Sequence, residues 1–160
     1  MTPWSGVLWA LLSATPFVLV ADQFSIELPK APVIVDDDGS VVLSVHAPAR
    51  HRVYVLEGPR ADRDSVEVAI DLPEDTLRAR QATVRELAAA GRPILQERAV
   101  SAGKVTGREY RLREPGGVRT LRIFLLEDRT VRVSCAGFAT CATILDSFRF
   151  VTTATDAGSR

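Results

Sequence analysis

The stretch from Lys104 to Val151 constrains this chain more than any other. Three runs within it, VTGREYRLR, VRTLRIFLL and TVRVSCAG, alternate apolar and polar residues. That is the period of a half-buried strand, not of a helix. Glu114-Pro115-Gly116-Gly117 separates the first two runs, and Glu127-Asp128-Arg129 separates the second from the third. Connections this short join antiparallel neighbours. Strand side chains point alternately to opposite faces, so Leu121, Ile123 and Leu125 share one face, and we expect Val131, Val133 and Cys135 beside them. The other face then carries Arg122, Phe124 and Arg132, joined by Glu109, Arg111 and Arg113. Guanidinium forks match carboxylate and phosphate geometry. Arg111, Arg122, Phe124 and Arg132 are therefore the candidate binding residues, for a small anionic ligand or an acidic partner protein. The competing reading is a solvated sheet face, partly neutralised by Glu109 and Glu114.

Upstream, the same alternation recurs. Phe24, Ile26 and Leu28 fall on one face of F-S-I-E-L, which ends at Pro29. Two β-branched runs, Val33 to Val35 and Val41 to Val45, flank Asp36-Asp37-Asp38-Gly39-Ser40, and an Asp-Gly pair there predicts a hairpin. The three aspartates lack the alternating ligands and distant glutamate of a calcium loop. Further strands are expected over Arg52–Leu56, Val66–Ile70 and Ile94–Val100. Asp71-Leu72-Pro73-Glu74-Asp75 reads as the start of one long helix that runs to about Ala90. Pro73 and the acids suit a first turn, and Gly91 suits the stop. The expected class is α+β: an antiparallel sheet with one long helix and a short C-terminal helix packed on it.

Met1 to Ala21 carries no charged side chain and is apolar in its middle. It reads as a signal peptide cut after Ala21, with a membrane anchor or an intrinsic helix as alternatives. Residues 22–152 then form a single domain and 153–160 a disordered tail. With 46% hydrophobic and 25% charged residues the chain has an ordinary globular composition. A domain of this size buries roughly two-thirds of its unfolded surface, so it needs no metal to make a core. Twenty basic residues balance twenty acidic ones, which gives no support to nucleic-acid binding.

Cys135 and Cys141 are the only cysteines. Cys135 falls on the inward strand face. Phe138, Cys141, Leu145 and Phe148 recur at three- and four-residue spacing, which turns Cys141 inward from a short helix. A disulfide between them would be a local staple in an exporting compartment, and buried free thiols are the alternative. His46 and His51, the only histidines, have no further ligands at metal-site spacing, and neither a metal nor a cofactor is expected. There is no Gly-x-Ser-x-Gly elbow, phosphate loop, dinucleotide fingerprint or His-Glu-x-x-His.

The order of short motifs resembles the PsbP-like α/β sandwich superfamily of small exported accessory proteins. The motifs are Phe24–Pro29, Asp71–Pro73 ahead of the helix, Gly107–Tyr110, Arg122–Leu125 and Asp146–Phe150. The resemblance implies an antiparallel sheet with helices packed on it and a non-catalytic accessory role. It supplies no catalytic residues. The functional expectation is an exported, non-enzymatic binding module, periplasmic or extracellular, that meets a membrane only if the N-terminal segment stays uncleaved. The alternatives are a hydrolase-like enzyme with a site outside known motifs, or a membrane-anchored structural subunit.

Overall fold

The computed structural model describes residues 15–21, 23–36, 41–42, 51–60, 63–71 and 89–151. Among them, the strands form two antiparallel sheets. The larger has the order β4 (Val41–Val42), β3 (Val33–Asp36), β5 (His51–Glu57), β6 (Ser65–Asp71), β10 (Thr130–Ala136), β9 (Gly117–Leu125), β8 (Val105–Glu114), β7 (Ile94–Ala102). The smaller has the order β1 (Phe17–Ala21), β2 (Phe24–Leu28), β11 (Arg149–Phe150). A short helix, α1 (Cys141–Ser147), precedes β11. The expected hairpin of β3 with β4 forms, with Ile34 opposite Val42. β7 turns into β8 at Gly103, whose φ of 64° is one that glycine adopts without strain.

This corrects the expected α+β class. Strands make up 63% of the described fold and helix 8%, and what packs on the large sheet is a second sheet with one short helix. The long helix expected from Asp71 to about Ala90 lies mostly outside the described residues. Its first residue, Asp71, is the last residue of β6 and pairs with both Thr130 and His51.

One face of the large sheet, the inner face, carries the main core. Tyr54, Leu56, Val66, Val68, Ile70, Val131, Val133 and Cys135 pack there against Leu19, Phe24, Ile26 and Leu28 of the small sheet and Ile144, Leu145 and Phe148. Aromatic rings knit these layers. Phe124 stacks on Phe148 at 5.6 Å between centroids, Phe148 stacks on Phe24, and Phe150 meets Phe124 edge-on. Gly107 makes the room for Phe124, because a Cβ there would stand 2.5 Å from the ring. The outer face carries a second, smaller cluster of Tyr110, Leu112, Leu121 and Ile123.

The expected sharing of faces by β9 and β10 is therefore inverted. Phe124 lies opposite Val131 and Arg122 opposite Val133, while Arg132 lies opposite Ile123 and Ser134 opposite Leu121. The turn closed by the Leu126 N–H on the Arg129 carbonyl sets this register. Moving the pairing by one residue exchanges every side chain between faces.

At the other end of the chain, β1 pairs with β2 over five residues and buries Leu19 opposite Ile26. The segment read as a leader thus overlaps a strand of the fold. Residues 1–14 and 152–160, the expected tail among them, lie outside the described residues. Among the described residues no helix is long and apolar enough to cross a membrane.

Candidate functional site: two arginine clusters on opposite faces

Cys135 and Cys141 form the disulfide that their phase anticipates, with Cα atoms 5.6 Å apart. It fastens the end of β10 to the first residue of α1. Disulfides persist in oxidising compartments, so this one is compatible with export.

Immediately beside it lies the first arginine cluster. Arg122 is on the inner face, 7% exposed, and its donors point beneath α1. Nε donates to Glu109 at 2.7 Å, Nη1 to the Leu145 carbonyl at 2.6 Å and Nη2 to Asp146 at 2.6 Å. Glu109, itself buried, takes Arg122 on one oxygen and Arg98 on the other, the latter at 2.6 Å. Burial pushes the Glu109 carboxyl up, but the hydrogen bonds and charges of Arg98 and Arg122 outweigh it, and the group titrates below its ordinary value of 4.5. By satisfying two carboxylates and a carbonyl in the last turn of a helix, the Arg122 guanidinium ties α1 to β8 and β9.

The outer face holds the second cluster, around a cavity of about 360 Å³. Arg92, Arg119, Arg132, Glu67, Glu114 and Ser134 line it over an apolar floor that includes Ala69 and Leu121. The β6–β10–β9 register builds it: Ser134 lies opposite both Glu67 and Leu121, and Arg132 opposite Ala69. Arg119 is nearly consumed by the fold. It reaches Glu114 at 2.8 Å, Ser65 at 3.0 Å, Ser134 at 3.3 Å and the Arg63 carbonyl at 3.3 Å. Arg92 bonds the same Glu114 oxygen. Arg132 spends Nε and Nη2 on Asp71, at 3.1 and 2.8 Å, and among the described residues keeps Nη1 for the cavity.

The four residues singled out from the sequence are thus not one surface. Phe124 (1% exposed) and Arg122 belong to the closed inner layer, and neither is available to a partner. Arg111 shares the inner-face register through Thr120 but is exposed. Of the four, Arg132 alone reaches the outer cavity. The residues that sequence reasoning missed are Arg92, Arg119, Glu67, Glu114 and Ser134. Glu114 and Arg119 flank the Glu-Pro-Gly-Gly turn, so the correct hairpin register would have brought them together. Among the described residues there is no group of three His, Cys, Asp or Glu side chains set to hold a metal ion.

No known family model matches the chain, and no curated protein matches it.

Proposed function

We propose that the protein is an exported, non-catalytic binding module that takes a small ligand bearing an anionic group in the outer cavity. The observation that carries this reading is the Nη1 of Arg132, unspent among the described residues, on a cavity-lining guanidinium whose other donors are fixed on Asp71. A preset guanidinium gives up little conformational freedom when a carboxylate arrives. A few convergent polar groups over an apolar floor are the usual make-up of a small-molecule site. The PsbP-like order of motifs supports the same accessory role. The reading is tested by following the amide spectrum of the folded protein while small carboxylates, with and without amino groups, are added. Shifts that cluster around Arg132 and Ser134 and vanish in Arg132→Ala are expected. A spectrum unmoved by every carboxylate sinks the reading.

Export itself is supported by the disulfide. The leader is cut upstream of Phe17 in this reading, because a cut after Ala21 would remove β1 and uncover Ile26 and Phe24. The N-terminal residue of the protein recovered outside the cell decides this. A start at Asp22 would show that β1 is dispensable.

A further inference from the structure

Three unspent polar groups meet on the outer face, and they are not all of one sign. Among the described residues, Arg132 has its free Nη1. Ser134, only 6% exposed, accepts from Arg119 and so has its hydroxyl hydrogen left to give. Glu67 takes Ser65 on Oε1 at 2.8 Å and meets Arg119 on the same oxygen at 3.8 Å, which leaves Oε2 unused among the described residues. Glu114, by contrast, is bonded by both Arg92 and Arg119, so its charge is already answered.

The register fixes how these groups sit. Arg132 and Ser134 are two residues apart on β10, hence on one face, and Glu67 is directly opposite Ser134 on β6. Directly opposed side chains have Cβ atoms roughly 5 Å apart, and next-but-one residues on a strand roughly 7 Å. Ser134 and Glu67 thus lie to one side of Ala69 and the Asp71-bound head of Arg132 to the other, so that two donors and one acceptor line the same cavity. A simple anion would satisfy the donors but leave Glu67 Oε2 without one, since Arg119, the cation beside Glu67, stands 3.8 Å from Oε1 and spends Nη1 on Ser65 and Ser134. A simple amine would have the opposite problem with Arg132.

We propose, on the reading that a small anionic ligand occupies this cavity, that the ligand is a free α-amino acid. Its carboxylate bridges the Arg132 Nη1 and the Ser134 hydroxyl, and its ammonium, one carbon away, donates to Glu67. Its side chain lies over Ala69 and Leu121 in the remainder of the cavity. No bond is made or broken. This is recognition of a zwitterion by a matched pair of charges, each held by its own support: Asp71 behind Arg132, Ser65 behind Glu67.

The test uses the full folded chain and calorimetric or spectral titration with each of the twenty proteinogenic amino acids. L-leucine is compared with 4-methylpentanoate, which lacks only the amine, and L-alanine with propionate and ethylamine. At least one amino acid is expected to bind, and to bind about tenfold tighter than its des-amino counterpart, the usual worth of a hydrogen bond to a charged group. Glu67→Gln, an isosteric change at a partly exposed position, should erase that preference while weak binding of the carboxylate remains. Equal affinity for amino acid and des-amino acid overturns the zwitterion and leaves the anion reading standing. Binding of no amino acid and no carboxylate overturns both.

Discussion

The two faces of the large sheet use the same residue type for opposite ends. On the inner face Arg122 is enclosed by α1, and all its nitrogens are engaged by Glu109, Asp146 and a backbone carbonyl. On the outer face Arg132 is 42% exposed in its side chain and braced by Asp71, with one nitrogen left over among the described residues. The difference comes from what each face meets. The inner face is roofed by a second sheet and a disulfide-fixed helix, so a charge there must be fully paired. Among the described residues the outer face carries a cavity, where an unfilled donor is cheap if water reaches it. Arginine clustering in a sequence therefore says little about binding until the layer above each strand is known.

This contrast is most vulnerable at Phe124. If the inner face is a dry, packed layer, Phe124→Ala should cost roughly 3–5 kcal/mol in urea unfolding. A loss under about 1 kcal/mol would mean the rings of Phe24, Phe148 and Phe150 do not close over it. Removing the disulfide probes the same division of faces. The double variant Cys135→Ala/Cys141→Ala should lose about 2 kcal/mol, the loop-entropy worth of so short a ring. Its amide shifts should spread through α1 and the chain neighbours of residue 135, and leave Arg132 and Arg92 of the outer cavity unmoved. Shifts centred on Arg132 would couple two faces that the fold keeps independent.

The smallest effect is one of pH. Glu109 has its carboxyl pKa lowered in the folded state, so the stability it contributes is complete above the ordinary value of 4.5 and is lost as pH falls through the lowered one. The stability difference between the wild type and Glu109→Gln should therefore be constant near neutral pH and shrink on acidification below 4.5. A difference that grows with acid would reverse the sign assigned to this carboxylate.

Much of this architecture is legible in the residues. The alternation in F-S-I-E-L, V-R-T-L-R-I-F-L and T-V-R-V-S-C, the Asp-Gly hairpin, the Gly103 turn and the pairing of the two cysteines all follow from local rules. The relative phase of β9 and β10 does not. Leu121, Arg122, Ile123 and Phe124 are all buried, so β9 has no polar side by which to choose its inner face. A four-residue connection, Leu126 to Arg129, then decides a register that alternation leaves open. The outer cavity was hidden for the same reason. Ser134, Glu67 and Arg119 come from three strands, and only the register brings them together. The small sheet was half visible: β2 stands out by pattern, whereas β1 is masked by a composition that also suits a leader.

The central claim is that Arg122 holds the fold while Arg132 is left free to bind. Urea unfolding of Arg122→Ala and Arg132→Ala under identical conditions tests it most directly. Arg122→Ala leaves Glu109 buried with only half its partners and should lose roughly 3–5 kcal/mol. Arg132→Ala removes a partly exposed ion pair and should stay within about 1 kcal/mol of the wild type. Equal losses, or a larger loss for Arg132→Ala, would contradict the division of the two faces into one that is built and one that binds.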